Sequence, residues 1–122
     1  SVHDSIDAHH FDKTIYHLVL LRASQINQCS FCVKMHTEEA RADGETTKRL
    51  DHVIVWQHSQ LFTKREKAAL CWTEALTHLT PNTNYGELRK TLREHFNENE
   101  MSALTANIGM INLWNRMGVS AH

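Results

Sequence analysis

The stretch that decides how this sequence is interpreted is Cys29-Ser30-Phe31-Cys32-Val33-Lys34-Met35-His36. Two cysteines three positions apart are followed by a histidine four positions after the second. In an α-helix each residue turns by about 100°, so the three side chains fall within about 60° of one another on one face. A thiol pair with a base beside it suits thiol redox chemistry, and the same side chains suit three of the four ligand positions of a zinc site.

The length, composition and charge limit which classes of protein this sequence can belong to. With 122 residues, 41% of them hydrophobic and 22% charged, the sequence predicts a single globular domain over residues 1–122. A net charge of −1 gives no electrostatic reason to expect a nucleic-acid partner, and no apolar run reaches the length of a membrane span. Three cysteines, an odd number, argue against a secreted disulfide framework, so we expect a cytoplasmic protein.

Long segments of helical periodicity and few chain breakers predict an all-α fold of about six helices. Asn27 is the expected N-cap of the second helix, and Gly44 is its expected left-handed C′ residue. Thr63 and Glu66 fit a capping box at the start of the fourth helix. The second half of the last helix is apolar almost all round, which predicts a place in the core or in a subunit interface. Around the cysteine helix, the expected helices cover about residues 12–24, 46–57, 85–96 and 100–117, and a further helix begins at the capping box and stops before Pro81.

Helix geometry assigns unequal roles to the two cysteines. Helical residues three apart have Cα atoms roughly 5 Å apart, which a disulfide tolerates. Cys29 is expected in the first turn, where the helix dipole favours a thiolate. His36 lies about 6 Å along the axis from Cys32 and about 10 Å from Cys29. We therefore expect His36 to activate Cys32, directly or through one water, with Cys29 as the resolving or proton-donating partner.

A second class of function stays open from spacing alone. Cys29, Cys32 and His36 also suit a metal-binding or redox-sensing module without peroxidase turnover. Such a zinc site needs a fourth ligand, and no second CxxC or HxxxH occurs at standard spacing. A purely structural oligomer that retains the cysteines is a third possibility. Cys71, alone within Ala-Leu-Cys-Trp-Thr, is interpreted as a core residue.

The residues around the cysteine pair resemble a known family. Leu21-Arg22-Ala23-Ser24-Gln25-Ile26-Asn27-Gln28-Cys29-Ser30-Phe31-Cys32, followed by Met35-His36, Ala40-Arg41 and Gly44-Glu45, is similar to the core of the carboxymuconolactone decarboxylase superfamily. Within it, the chain resembles the alkylhydroperoxidase D (AhpD)-like branch. Further similarity lies in Arg49-Leu50, Trp56, residues 65–77 and residues 111–116. The resemblance covers about residues 12–118.

This resemblance implies a helical fold around a helical hairpin, assembled as a homo-oligomer of three or six subunits. The implied activity is reduction of a small hydroperoxide by the cysteine pair, with a thiol or dihydrolipoyl-type reductant and with no metal or organic cofactor. By the family pattern, Cys32 becomes the sulfenic acid, and Cys29 donates a proton and closes the disulfide. His36 matches the histidine of the proton relay. The lactone decarboxylase branch lacks this cysteine pair, so its reaction is not expected.

The chain departs from the family pattern at one relay position. The family's glutamate, twelve residues before the first cysteine, is replaced by His17. A histidine can accept and pass a proton, but it does not reproduce the negative charge of a carboxylate. A His17–His36 pair would also disfavour double protonation and lower at least one pKa. We keep His17 as a candidate relay member, with a histidine accommodated in the core or an interface as the alternative.

Overall fold

The chain folds entirely into helices over residues 12–122, the range that the computed structural model describes. Six α-helices and one 3₁₀ helix follow one another: α1 Lys13–Ile26, α2 Ser30–Ala42, α3 Thr47–His52, the 3₁₀ helix Val53–His58, α4 Lys64–His78, α5 Tyr85–Arg93 and α6 Glu98–Ala121. The predicted all-α class and the number of helices are confirmed for this range. Residues 1–11 of the domain expected over 1–122 lie outside the described residues.

Helix α1 is the centre of the fold, because it packs against α2, α4 and α6. Its residues Leu18 and Val19 are fully buried, and Leu20 and Leu21 are nearly so. An apolar surface on more than one side of a helix requires neighbours on more than one side, as the sequence predicted. Asp12 begins the helix, since its carboxylate accepts a hydrogen bond from the Ile15 amide at 3.1 Å.

The turn between α1 and α2 corrects one prediction. Asn27 does not cap α2; it is the C-cap of α1, and its backbone amide donates to the Ala23 carbonyl. Gln28 then takes a left-handed conformation with φ 55°, which reverses the chain. The N-cap of α2 is Cys29, whose sulfur accepts a hydrogen bond from the Cys32 amide. Sequence preference favoured asparagine as the cap, but the tight turn between the packed helices places the cysteine there instead.

The C-terminus of α2 is as predicted. Gly44 lies just beyond the helix with φ 97°, a conformation that L side chains rarely adopt. The Gly44 and Glu45 amides donate to the last carbonyls of α2. The chain can therefore turn sharply into α3 without leaving these carbonyls unpaired.

The helix expected over 46–57 is divided. Its α-helical part ends at His52, and Val55 has non-helical angles (φ −119°, ψ 28°) inside the following 3₁₀ segment. The three consecutive β-branched residues are Val53, Ile54 and Val55. Because their side chains lose freedom in an α-helix, the free-energy cost of a non-helical backbone is lower here. The break buries Val53 and Trp56 together and leaves Ile54 exposed.

Helices α4 and α6 both begin with a capping box. The predicted box of Thr63 and Glu66 is confirmed at the start of α4. An equivalent box of Asn97 and Glu100 starts α6, which begins slightly before the predicted boundary.

The long helix α6 has two different faces. Ile108, Ile111 and Asn115 face the interior. The other face carries a stripe at i, i+3, i+4 and i+7 spacing whose apolar side chains are about half exposed: Met110, Leu113, Trp114 and Met117. None of the helices between residues 12 and 122 is long and apolar enough to cross a membrane.

Candidate redox site

Cys29 and Cys32 are joined by a disulfide at the start of α2, with their Cα atoms 5.2 Å apart. This separation agrees with the value expected from helical spacing. The side chains are buried, with only 1% of Cys29 and 3% of Cys32 exposed. The sequence predicted Cys29 in the first turn of α2, but it is the N-cap, one residue earlier. Its sulfur still lies at the positive end of the α2 dipole.

Helix α6 covers the disulfide at Gly118. A Cβ atom built on Gly118 would lie 2.7 Å from the Cys29 sulfur and 2.8 Å from the Cys32 sulfur. These distances are well inside van der Waals contact, so only glycine fits without a shift of α6 or of the sulfurs. Gly118 was not predicted as part of the site; a glycine inside an apolar helical segment is the signal in the sequence that indicates such a close approach.

A cavity of about 670 Å³ opens beside Cys32. It lies between α1, α2 and α6, and both Cys32 and His36 form part of its wall. Cys32 is the one cysteine among the described residues that line it. The wall is mainly apolar, with Leu20, Phe31, Met35, Met110, Ile111, Trp114 and Met117. The size and lining suit a small organic molecule that approaches Cys32 and not Cys29.

His36 is buried one turn after Cys32, as the spacing predicted, with 6% of its surface exposed. Its Nδ1 lies 3.4 Å from a carboxylate oxygen of Glu39, and its Nε2 is buried with no hydrogen-bond partner among residues 12–122. Burial lowers the pKa of His36 below its ordinary value, Glu39 partly opposes this, and positive charge on His17 lowers it further. A proton held on Nδ1 by Glu39 leaves Nε2 with a free lone pair.

His17 is buried on α1 and contacts a carboxylate that the sequence analysis did not single out. Its Nε2 lies 2.6 Å from the Asp43 carboxylate, while its Nδ1 is buried without a hydrogen-bond partner within the described chain. At His36 the expected effect of a second histidine is present, since charge on His17 lowers the pKa of His36. Asp43 escaped notice because it lies 26 positions from His17, and no local spacing connects them.

No group of three or more His, Cys, Asp or Glu side chains between residues 12 and 122 is arranged to hold a metal ion. In this disulfide state the Cys29 and Cys32 sulfurs are bonded to each other. The remaining thiol, Cys71, is half buried and packs against the core. Burial, aided by the charge of Glu74, raises the pKa of this thiol, so it is a weak nucleophile near neutral pH.

A polar network fixes the cysteine turn against α6. The Asn27 side-chain amide donates to the Asn112 and Asn115 oxygens at 2.9 and 3.0 Å, and Asn115 donates to the Ser24 hydroxyl at 2.9 Å. All of these bonds are made within the chain. The network connects α1, the turn and α6, which holds Gly118 over the disulfide.

Comparison with known proteins gives consistent relatives. A family model described as the carboxymuconolactone decarboxylase family matches residues 4–75. The chain is 36% identical over 109 residues to the uncharacterized protein YdfG of Bacillus subtilis, covering 89% of this chain and 74% of YdfG. It is 34% identical over 102 residues to the uncharacterized protein YnjA of Escherichia coli, covering 84% of this chain and 56% of YnjA.

A solved structure shares the fold. The crystal structure of ATU0492 from Agrobacterium tumefaciens matches with a TM-score of 0.89 and 36% identity, over 98% of this chain and 82% of ATU0492. ATU0492 is described as a protein of unknown function and a candidate antioxidant defence protein AhpD. The family match spans more than half of the chain, and the fold agrees with that of the AhpD-like relative. The chain belongs to the carboxymuconolactone decarboxylase family, in which it resembles the AhpD-like branch.

Proposed function

We propose that this protein is a thiol-dependent oxidoreductase that reduces small organic hydroperoxides with Cys32 and Cys29. The observation that carries the proposal is that only one cysteine of the pair, Cys32, lines the cavity. Cys32 and His36 line the same apolar cavity, whereas Cys29 lies behind Cys32 within bonding distance of its sulfur. One thiol therefore meets the substrate together with a base, and the other is placed to resolve the product.

In the first step the Cys32 thiolate attacks the terminal oxygen of the hydroperoxide. The O–O bond breaks, Cys32 becomes a sulfenic acid, and the alkoxide leaves as the alcohol after taking a proton. His36, which lines the same cavity, is our candidate to move this proton: its Nε2 takes the proton from the Cys32 thiol and then gives it to the alkoxide. The apolar wall of the cavity favours a substrate with a hydrocarbon group over hydrogen peroxide.

In the second step Cys29 attacks the Cys32 sulfenic acid. The disulfide forms, and hydroxide leaves as water after accepting a proton from the relay. A thiol or dihydrolipoyl-type donor then reduces the disulfide by exchange and becomes a disulfide itself. In balance, one hydroperoxide and two thiols give one alcohol, one water and one disulfide. A supply of thiol donor places this cycle in a reducing compartment such as the cytoplasm.

We further propose that the protein works as a homo-oligomer, a trimer or a hexamer. Support comes from the apolar stripe of Met110, Leu113, Trp114 and Met117, which is about half exposed in the single chain. All of its members except Leu113 line the cavity. Sedimentation equilibrium of the wild type and of Leu113→Glu, with Ile54→Glu as a control at an exposed apolar residue elsewhere, tests this. A monomeric wild type would contradict it.

Hydroperoxide consumption with a panel of donors tests the proposed activity. We expect an alkyl hydroperoxide to be consumed by the wild type with a dihydrolipoyl compound or another thiol. Cys32→Ser and Cys29→Ser should both lack sustained turnover, while Cys71→Ser should retain it, since Cys71 lies outside the cavity lining. Full turnover in Cys32→Ser, or none in the wild type with any donor, would contradict the proposal.

A further inference from the structure

The contact between His17 and Asp43 joins a buried group to an exposed one. The His17 side chain is 8% exposed and that of Asp43 is 42% exposed, and their polar atoms are 2.6 Å apart. Both line a second, small cavity of about 80 Å³ that also touches Lys13 and Glu45. This cavity is separate from the large one, whose wall contains Cys32 and His36. The contact between His17 and Asp43 thus belongs to a part of the surface different from the large cavity.

The position of Asp43 is unfavourable for a carboxylate. Asp43 is the C-cap of α2, where the helix dipole disfavours negative charge. The helix does not depend on the Asp43 side chain for its end, because backbone amides of residues 43–45 pair with the last carbonyls. The hydrogen bond from His17 lowers the pKa of Asp43, and Lys13 adds to this effect. The carboxylate is therefore ionised at neutral pH, and its contact partner is a buried imidazole.

An ionised carboxylate can only accept a hydrogen bond, so the proton of a neutral His17 must lie on Nε2. Nδ1 is then an acceptor, and it is buried with no partner in residues 12–122. His36 presents a second buried acceptor of the same kind at its Nε2. The two rings are near enough for the charge of one to affect the other. The two histidines thus offer two buried nitrogens that can accept a proton, one on the ring that lines the cavity with Cys32 and one on the ring that contacts Asp43.

We infer that Asp43 is a positioning residue of the redox site: it fixes the His17 tautomer and balances the charge on His17 while a proton passes between His36 and the surface. The inference rests on the proposed redox function of Cys32. It gives the site a carboxylate, placed on α2 at a position that local sequence does not reveal. Tyr16 on α1 contacts the His17 ring, and Lys13 on α1 and Glu45 after α2 line the small cavity with the pair. On α2, the charge effect links His17 to His36, which in turn contacts Glu39.

The direction in which the pH of Cys32 thiolate formation shifts, when Asp43 loses its charge, distinguishes this role from a simple effect of charge. A carboxylate that acts only through space disfavours the Cys32 thiolate, so its removal would make the thiolate form at lower pH. A carboxylate that supports the proton acceptor stabilises the thiolate–imidazolium pair, so its removal would make the thiolate form at higher pH. The two roles predict shifts in opposite directions.

The experiment compares the reduced wild type, Asp43→Asn and Glu38→Gln, an exposed carboxylate on the same helix as the matched control. The pH dependence of iodoacetamide alkylation at Cys32 is followed by mass spectrometry. We expect the midpoint in Asp43→Asn to rise by about one pH unit, the size expected for one nearby charge, with no shift in Glu38→Gln. An unchanged or lower midpoint in folded Asp43→Asn would overturn the inference, as would an equal shift in the control.

A second measurement uses the wild type alone, so it does not depend on whether a variant folds. Long-range ¹H–¹⁵N spectra of the reduced wild type should show the neutral His17 ring protonated on Nε2, and a ring protonated on Nδ1 would overturn the inference. Neither measurement uses a hydroperoxide. The protein could show the expected tautomer and alkylation shift but no peroxide turnover. That result would contradict the proposed peroxidase activity, and it would uphold the role of Asp43 in activating the thiol.

Discussion

Gly118 lies directly over Cys32, so close that a Cβ at this position would be 2.8 Å from the cysteine sulfur. The same atom would be 2.7 Å from the Cys29 sulfur. The backbone of α6 thereby forms the cover of a disulfide whose two residues are almost completely buried. The relationship connects the packing of the longest helix to the chemistry of the cysteine pair.

Replacing Gly118 with alanine should destabilise the oxidised protein more than the reduced protein. A disulfide holds both sulfurs in place under the new methyl group, whereas free thiols can rotate away from it. Overpacking of a filled site costs about 1–3 kcal/mol. If about 1.4 kcal/mol of this is specific to the disulfide state, the reduction potential rises by about 30 mV. Redox titration against a thiol buffer and thermal unfolding in both states measure the two effects.

Gly109→Ala is the matched control for Gly118→Ala. Gly109 lies on the same helix, and a Cβ there would meet nothing within 4 Å. Alanine in place of an exposed helical glycine should stabilise both states equally, by up to about 1 kcal/mol. Equal effects of Gly118→Ala on the oxidised and reduced proteins would show that the cover does not act on the sulfurs.

The buried His36 should make the protein less stable in mild acid. Its pKa in the folded protein lies below the ordinary value of 6.5, because burial disfavours the charged ring. As the pH falls below about 6.5, the unfolded chain takes up a proton that the folded chain resists, so the free energy of unfolding decreases. No contribution from this group is expected at higher pH, where both states are neutral.

Urea unfolding at pH 7.5 and pH 5.5 measures this contribution of His36. We expect the loss of stability between these pH values to be smaller in His36→Gln than in the wild type. His58→Gln, which changes an exposed histidine, should retain the wild-type loss. The carboxylates with lowered pKa values, Asp43 and Glu66, titrate at lower pH and do not enter this window. An equal loss in His36→Gln and the wild type would contradict the assignment.

The ion pair between Arg49 and Glu66 should contribute strongly to stability. Burial alone would raise the pKa of Glu66, but hydrogen bonds from Arg49 and the Thr63 amide hold it below its usual value. Arg49 donates to both Glu66 oxygens, at 3.0 and 2.7 Å, and to Glu45. Glu66→Gln preserves an oxygen for the capping box and removes the charge. We expect a loss of about 1–3 kcal/mol in chemical denaturation.

An exposed pair on the same protein provides the comparison for Glu66→Gln. Glu98 contacts Arg93 at 2.8 Å, but 51% of the Arg93 and 73% of the Glu98 side chain are exposed. Glu98→Gln should change stability by about 0.5 kcal/mol or less, since solvent screens such pairs. Similar losses in the two variants would show that burial does not decide the contribution of these charges.

The sequence predicted the features that depend on neighbouring residues. The capping box of Thr63 and Glu66, the left-handed Gly44 and the one-turn spacing of Cys32 and His36 are all local patterns, and the structure contains them. Asn27 was assigned wrongly because Gln28 takes a left-handed conformation that its residue type does not favour. Packing of α1 against α2 favours this turn, although the local residue preference does not.

The parts of the site that escaped prediction are contacts across the fold. Asp43 meets His17 only because α1 and α2 pack side by side, and Gly118 meets the cysteines only because α6 folds back over them. Both pairs are far apart in sequence, and neither follows a helical spacing. The resemblance to the family identified His17 as a substituted position, but it did not indicate which carboxylate His17 would contact.

The role of Cys32 as the residue that attacks the hydroperoxide is tested most directly by the fate of each cysteine after one equivalent of an alkyl hydroperoxide. Reduced Cys29→Ser and Cys32→Ser are mixed with the hydroperoxide in the presence of dimedone, and the adduct is located by mass spectrometry. We expect a sulfenic acid adduct on Cys32 in Cys29→Ser, and no adduct on Cys29 in Cys32→Ser after the same reaction time. An adduct that forms on Cys29 as fast, or no adduct on Cys32, would contradict this role of Cys32.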